Sequence, residues 1–290
     1  MNLSKSSSLL FRFSLFVTAM TLLLIAAGGL VTSHKAGLAV PDWPQSYGQW
    51  MPPMVGNIFW EHGHRMIAGS VAVLTLILCI LVQKFEKRTS IRRLAWAALG
   101  AVLAQALLGG LTVIFLLPPA VSIGHAILAQ TFFCLLIALT FYLRPLDGRI
   151  SRSSERRSPE DRGYVYRLWI CVAAAVYLQL FLGATVRHTR MAIGFHVGWA
   201  LAVLFLIFLG VRAIHNSAPP ESRWNGIATL AGVFAIVQFF LGIGAFLYTQ
   251  VLPYDADIPS LGAVLFASAH QTNGALVLGT CFLLALRSRE

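Results

Sequence analysis

Residues 61–65 bring four ionisable side chains to the start of a long apolar run: Glu61, His62, His64 and Arg65. Placing such groups where a chain enters hydrocarbon is unfavourable, and they usually mark a functional site. Glu61 lies three residues before His64, so the two share one face of a helix that begins there. Imidazole is a common metal ligand, and a carboxylate beside it indicates a reaction site rather than a site that only carries electrons. The alternative is that Glu61 only complements the helix dipole.

Three further histidines, His125, His196 and His270, also lie near the starts of apolar segments. Together with His64 they fall on every second segment, so each half of the chain holds two of them. Two inward-facing histidines on separate helices can ligate the iron of a haem from both sides. Zinc and copper are the alternatives, and zinc favours three or four close ligands that include cysteine or carboxylate. The pattern therefore predicts a haem between two histidines in each half of the chain.

The elements that position these residues are apolar segments. Only 11% of the 290 residues are charged, against about 25% in soluble proteins, which leaves too little charge to cover a water-facing surface. Apolar runs of about 20 residues must be helical in lipid, because lipid offers the backbone no hydrogen-bonding partners. We therefore predict an all-α integral membrane protein with eight transmembrane helices, at residues 13–32, 63–83, 94–117, 121–143, 167–187, 192–211, 226–248 and 263–286.

The basic residues predict the orientation of these segments. All but four of the 22 Lys and Arg residues lie near the two termini or in and beside the loops 84–93, 144–166 and 212–225. Because Lys and Arg are retained on the cytoplasmic side, both termini are expected in the cytoplasm. The four histidines then lie near the outer, non-cytoplasmic face of the membrane. The net charge of +11 follows from this topology and gives no reason to expect a nucleic-acid partner.

The four basic residues on the opposite side are Lys35, Arg65, Arg187 and Arg190. Haem propionates are anionic, and arginine binds carboxylates through two parallel hydrogen bonds. We therefore expect propionate contacts from Arg65, Arg187 and Arg190. Simple anchoring of these long side chains at the membrane interface is the alternative.

A short motif recurs along the chain. In the third, fifth and seventh segments a glutamine stands four residues before a glycine, and the first segment has the glycine alone. The pairs are Gln105 with Gly109, Gln179 with Gly183 and Gln238 with Gly242, and the lone glycine is Gly28. This repeat predicts two tandem four-helix bundles, residues 1–143 and 167–290, joined by a basic cytoplasmic linker, residues 144–166. The glycines allow close approach of either a porphyrin or a neighbouring helix. The glutamines could hydrogen-bond to another helix or to the edge of a cofactor, and the sequence does not decide between these partners.

Several of these motifs together resemble the haem A synthase family. They are Gly28-Gly29-Leu30-Val31-Thr32, then Gly37 with the loop Pro41-Asp42-Trp43-Pro44, and then Glu61-x-x-His64-Arg65. The resemblance also includes the four histidines and the eight segments, and it extends over essentially the whole chain. It implies an oxidoreductase that converts the C8 methyl group of haem O to a formyl group, giving haem A for terminal oxidases.

The resemblance also implies roles for individual residues. Glu61 would be the catalytic carboxylate, and His64 and His125 would hold the substrate haem O. His196 and His270 would ligate a haem b cofactor. Besides haem O and the lipid bilayer, the partners to expect are a haem O synthase, an electron donor and a second copy of the chain.

The first loop departs from the family pattern. Val40 and Ser46 stand where many bacterial members carry a pair of cysteines, so neither a disulfide nor a thiol relay can form there. A di-haem membrane cytochrome that only transfers electrons is the alternative function. Glu61 favours the synthase, because an electron carrier has no use for a carboxylate beside one of two haems.

Overall fold

The computed structural model describes residues 3–145, 159–217, 222–252 and 258–289. These ranges contain eight α-helices, and the only β-type pairing within them is an isolated bridge between Ser46 and Gln49. The all-α prediction is confirmed, and each predicted apolar segment forms one helix. The helices are α1 (Leu3–Ser33), α2 (Gly56–Phe85), α3 (Thr89–Ile114), α4 (Pro119–Leu143), α5 (Pro159–Thr189), α6 (Ile193–Ser217), α7 (Arg223–Phe246) and α8 (Leu261–Ser288). A short π-helical turn, Leu247–Val251, extends α7.

Seven helices, α1 to α7, are long and apolar enough to cross a membrane. The eighth, α8, has 28 residues, so its length is also sufficient. Near its middle, however, lies the polar sequence His270-Gln271-Thr272-Asn273, which lowers its mean hydropathy. The protein is therefore a multi-pass helical membrane protein, and a membrane crossing by α8 stays a prediction.

The start of α2 differs from the sequence-based expectation. The helix begins at Gly56, after Val55 in extended conformation, and not near residue 63 where the apolar run begins. Glu61 therefore lies beyond the first turn, which contains no acidic residue. Because the helix dipole acts mainly on charges in the first turn, a role limited to the dipole explains little of this carboxylate. The shared face of Glu61 and His64 is retained, since both belong to one continuous helix.

The chain divides into two compact units. The first comprises Met1–Leu143 and Leu241–Thr272, and the second comprises Arg144–Phe240 and Asn273–Glu290. Within the first unit, α1 packs against α2 and α4, and α3 packs against the same two helices, so α1 to α4 form a closed ring. Within the second unit, α5 packs against α6. The tandem bundles with boundaries at 143 and 167 stay a prediction, and most of the predicted linker lies outside the described residues.

The buried apolar core of the first ring fills one end of it. Its members come from the first half of α1, the second half of α2, the first half of α3 and the second half of α4, and they include Leu10, Leu78, Ala98 and Leu136. Because consecutive helices run in opposite directions, these four halves lie at the same end of the ring. His64 and His125, near the starts of α2 and α4, lie at the other end, called the histidine end below. This apolar core therefore does not occupy the histidine end.

Candidate functional site

His64 of α2 packs against Gly28 of α1. A Cβ added to Gly28 would lie 3.2 Å from Cε1 of the His64 ring and 3.7 Å from Nδ1. The first distance is shorter than an ordinary van der Waals contact of 3.4–4 Å, so only glycine accommodates the ring without a shift. Within the described part of the chain, the buried Nδ1 atom of His64 makes no hydrogen bond.

His125 of α4 packs in the same way against Gly109 of α3. A Cβ on Gly109 would lie 3.1 Å from Cε1 of the ring. Gln105, one turn earlier in α3, donates a hydrogen bond from Nε2 to the His125 main-chain oxygen at 3.0 Å, and its Nε2 lies 3.3 Å from Nε2 of the ring. The imidazoles of His125 and His64 are close enough to interact electrostatically. The first unit therefore brings together the two histidines predicted to hold the substrate haem.

The other two predicted ligands also pack on glycines. In the second unit, a Cβ on Gly183 would lie 3.1 Å from Cε1 of His196, and Nε2 of Gln179 donates to the His196 main-chain oxygen at 2.9 Å. In the first unit, the corresponding distance from Gly242 to Cε1 of His270 is 3.0 Å. Each of the four repeated glycines thus accommodates an imidazole of the next helix in the chain. The sequence had left open what these glycines approach, and in this structure it is a histidine ring.

Glu61 is buried, with only 4% of its surface exposed, and both of its carboxylate oxygens are hydrogen-bonded. Oε2 accepts from the backbone N–H of Val40 at 2.8 Å. Oε1 accepts from Nη2 of Arg65, one turn later in α2, at 2.5 Å. A carboxylate offers about four acceptor positions, so these two bonds fix its orientation and leave acceptor capacity on each oxygen.

Arg65 connects α2 to the loop 34–55, called the connecting loop below. Its Nη1 donates to the main-chain oxygens of Asp42 at 2.7 Å and Gln45 at 2.9 Å. Together with the ion pair to Glu61, these bonds place the guanidinium between the carboxylate and the connecting loop. From the sequence, Arg65 is expected to contact a haem propionate. That contact stays a prediction, as do those of Arg187, in the last turn of α5, and Arg190, which follows that helix.

The connecting loop folds around a tight turn at residues 46–49. The backbones of Ser46 and Gln49 pair with each other, and the two central residues have positive φ angles, 55° at Tyr47 and 69° at Gly48. This is the pattern of a type I′ turn, in which glycine relieves strain at positive φ. The Asp42 carboxylate accepts from both central N–H groups, at 2.6 Å from Tyr47 and 2.8 Å from Gly48.

Trp43 docks the connecting loop on α3. A Cβ on Gly110 would lie 2.6 Å from Cδ2 of the Trp43 ring, which is too close for any side chain. Gly110 follows Gly109, whose surface meets His125. The two adjacent glycines of α3 therefore hold the connecting loop on one side and a predicted haem ligand on the other.

A second buried contact of the connecting loop is not predictable from the sequence. His62 has no counterpart in the other segments, yet it is only 6% exposed, and its Nδ1 lies 2.8 Å from Oγ of Ser46. Val40 and Ser46, at which the resemblance would lead one to expect cysteines, are both fully buried. They attach the loop to α2 through Glu61 and His62 respectively. No sequence signal reveals these contacts, because they join residues about 20 positions apart in a segment without regular periodicity.

The pKa of Asp42 is lowered from its ordinary value of 3.8, first by the hydrogen bond from Gly48 and further by the one from Tyr47 and by the charge of Arg65. A lowered pKa in the folded state means that the ionised carboxylate stabilises the loop. This contribution is complete above pH 3.8 and is lost as the pH falls through the folded value. At neutral pH the turn is therefore held by an ionised Asp42.

The substitution Asp42→Asn is expected to loosen this turn at neutral pH. Asparagine keeps one acceptor oxygen, but its amide nitrogen cannot accept the second N–H. Hydrogen–deuterium exchange of the peptide containing Tyr47 and Gly48 should become about threefold to tenfold faster. Peptides from the middle of α2 serve as the internal control and should exchange unchanged. An unchanged rate at Tyr47 and Gly48 would contradict the role given to Asp42.

The helices and the site define a class: a multi-pass membrane protein whose half-buried histidines lie at one end of a helical ring, beside an ion-paired carboxylate. Residues 54–197 match the family model of the cytochrome oxidase assembly protein COX15-CtaA. This range includes Glu61, His64, His125 and His196, and it ends before His270. This region, which is about half of the chain, is similar to that family.

Curated relatives of the chain carry the name "Heme A synthase". Those from Bacillus cereus (strain 03BB102), Bacillus anthracis (strain A0248) and Bacillus thuringiensis subsp. konkukian (strain 97-27) are each 29% identical to the chain over 181 residues. The matched region covers 61% of this chain and 57% of each relative. The chain thus aligns with little more than half the length of these relatives.

Proposed function

We propose that the protein is a haem A synthase, an oxidoreductase that converts the C8 methyl group of haem O to a formyl group. The observation that carries the proposal is the arrangement at the histidine end of the first unit. His64 and His125 lie there together, and the buried carboxylate of Glu61 is one helical turn from His64. The match of residues 54–197 to the COX15-CtaA family model and the names of the Bacillus relatives support the same function.

The residues at the histidine end fit a haem. Nδ1 of His64 and Nδ1 of His125 are buried and make no hydrogen bond among the described residues. Across that same part of the chain, no three His, Cys, Asp or Glu side chains are grouped closely enough to enclose a metal ion. Two imidazoles suit haem iron, because the porphyrin itself supplies four ligands and leaves two axial positions. We therefore propose that His64 and His125 hold the substrate haem O.

The haem b cofactor is assigned to His196 and His270, on the strength of the sequence repeat. Each packs on a glycine as His64 and His125 do, with a Cβ distance of 3.1 Å for His196 and 3.0 Å for His270. A bound haem b would supply one-electron transfer. Within this proposal, the histidine end faces the outside of a bacterial inner membrane, and both termini lie in the cytoplasm.

Glu61 is the residue proposed to act on the reacting group. Conversion of a methyl to a formyl group replaces two hydrogens of one carbon by an oxygen atom from water or dioxygen. The four electrons released pass to an external acceptor, and positive charge develops on the carbon as they leave. A carboxylate held beside that carbon can accept a proton or stabilise the charge. The hydrogen bonds from Val40 and Arg65 hold Glu61 in one orientation, and burial removes competing water.

A di-haem cytochrome that only transfers electrons is the second candidate. It is favoured by one observation: both oxygens of Glu61 are already engaged by protein groups, as in a purely structural ion pair. The two candidates differ in their effect on haem O, since only the synthase changes it.

Co-expression with a haem O synthase tests the proposal. Haem is extracted from membranes that contain both proteins, separated by chromatography and identified by mass. We expect haem A to appear, whereas membranes with the haem O synthase alone should contain only haem O. If haem O persists unchanged while the protein is inserted and binds haem, the synthase proposal fails and the cytochrome stands.

A further inference from the structure

We propose that Gln105 and Gln179 are positioning residues, which fix His125 and His196 in the orientation that iron ligation needs. Each acts together with the glycine four residues later in its own helix. The iron-ligating role of the two histidines rests on the proposed function. The proposed clamp is the Gln–x–x–x–Gly pair together with the histidine that it holds. The structure shows this arrangement at His125 and at His196.

The two copies of the clamp have almost the same geometry. The distances from Gln Nε2 to the histidine main-chain oxygen are 3.0 Å for Gln105 and 2.9 Å for Gln179. The positions of a Cβ on the two glycines are both 3.1 Å from the ring Cε1 and 3.6 Å from Nδ1. Yet the glutamine and the histidine are 20 residues apart in the first copy and 17 in the second. The geometry is retained although the connecting segments differ in length.

Each clamp holds its histidine at two points. Residues four apart lie on one face of a helix, so the glutamine and the glycine meet the same neighbour, one turn apart. The amide binds the main chain of the histidine, using the second lone pair of a carbonyl that also belongs to the helix. The glycine surface meets the edge of the ring and limits its rotation. With the backbone and one ring edge fixed, the direction of the remaining ring nitrogen is fixed as well.

The amides themselves are oriented by this contact. Only the NH₂ group of a glutamine can face a carbonyl oxygen, since two oxygens would repel each other. The other end of each amide, Oε1 of Gln105 and Oε1 of Gln179, is buried and accepts no hydrogen bond in the described ranges. Because a buried acceptor without a donor is unfavourable, these glutamines are poorly explained as stabilisers of the fold alone. Positioning of a functional histidine explains them better.

The clamp is not a general feature of every helix pair. In α1 the place of the glutamine is taken by Leu24, so His64 has the glycine contact without the amide. In the second unit, Oε1 of Gln238 accepts from Nδ2 of Asn273 at 2.8 Å, so this glutamine has a partner of another kind. Gln105 and Gln179 each combine a hydrogen bond to a histidine main chain with a glycine that contacts the ring of the same histidine.

The test removes each amide and leaves the volume of the side chain nearly unchanged. Gln105→Met and Gln179→Met are purified with bound haem, and Gln83→Met is the matched control. Nε2 of Gln83 also donates to the main chain of the next helix, at 3.0 Å from the oxygen of Arg92, but at the end of the unit opposite the histidines. The readouts are the low-spin haem signals in electron paramagnetic resonance and the rate of haem transfer to excess apomyoglobin.

Loss of one hydrogen bond to a ligand should make haem transfer about threefold to tenfold faster in Gln105→Met and Gln179→Met, with broadened low-spin signals. Gln83→Met should behave like the unmodified protein. The glycine half of the clamp has its own pair of variants in α3. Gly109→Ala should shift the low-spin signal, whereas Gly100→Ala should not, because a Cβ there meets nothing within 4 Å.

Equal transfer rates and signals in all three methionine variants would overturn the clamp and leave the proposed function standing. Gln105→Met protein that fails to insert in the membrane, with Gly109→Ala spectrally unchanged, would also overturn it, in favour of a folding role. If the unmodified protein binds no haem, both proposals fail. If it binds haem without converting haem O, the synthase proposal alone fails, because the spectra still report on the clamp.

Discussion

Replacement of Glu61 by glutamine is expected to lower the formation of haem A by about 100-fold or more, the usual effect of removing a group that handles protons in catalysis. Haem binding should be retained, because glutamine changes neither of the predicted substrate ligands, His64 and His125. The measurement is the ratio of haem A to haem O in extracted membranes, together with the haem spectrum of the purified variant. Haem O should accumulate on an intact, haem-loaded protein.

The structure raises one competing explanation for an inactive Glu61→Gln variant. The carboxylate is the counterion of Arg65 and a partner of the Val40 N–H, so its neutralisation leaves a guanidinium with little compensation in a buried setting. Leaving one member of a buried pair uncompensated costs about 3–5 kcal/mol. The connecting loop could then detach, and activity would be lost for a structural reason.

A double variant separates the two explanations. Glu61→Gln combined with Arg65→Gln removes both charges and therefore restores electrical balance. If Glu61 acts chemically, the double variant should recover thermal stability towards that of the unmodified protein but stay inactive. Recovery of haem A formation together with stability would show that the carboxylate is only structural. Glu86→Gln is the control, because Glu86 also pairs with an arginine, Arg88 at 2.8 Å, at the opposite end of the unit.

The helices were predictable from the sequence because an apolar run in lipid must satisfy its backbone hydrogen bonds internally, which a helix does. Every apolar segment forms one helix, and only the helix ends differ from the prediction. For example, α2 begins earlier than expected, because it includes the polar residues before His64. The sequence repeat identified Gly109, His125, Gly183 and His196 as recurring residues. It did not indicate that each histidine ring packs against a glycine. A periodic sequence pattern identifies which residues share one face of a helix, but it does not identify the residues that this face contacts.

The connecting loop was not predictable, for a physical reason. Its contacts join Asp42 to a turn with positive φ angles, Trp43 to Gly110, and Arg65 to two carbonyl oxygens. Such contacts depend on the shape of a folded loop and have no period in the sequence. The arginine illustrates the consequence. Its charge and position indicated an external anion, whereas the structure surrounds it with partners from its own chain.

Substitution of His196 by alanine is expected to remove haem b while the substrate site stays intact. If each chain binds two haems, each between two histidines, loss of one ligand should release about one haem of the two. The readouts are the haem content per protein and the low-spin signal of a bis-histidine haem. His215→Ala is the matched control in the same helix, since its ring is exposed and its hydrogen bonds among the described residues are to Val211 and Thr229.

A companion variant shows whether the imidazole itself is what matters. His196→Gly leaves space against Gly183, where the Cε1 edge of the ring lies in the unmodified protein. Free imidazole added to this variant should enter that space and restore the low-spin signal, but it should not restore a signal lost through misfolding. His215→Ala should need no imidazole. The proposal that Glu61 acts at the substrate site and His196 at a separate haem b site would be refuted if Glu61→Gln and His196→Ala lost the same haem signal to the same degree. The carboxylate and the haem b ligand would then belong to one site.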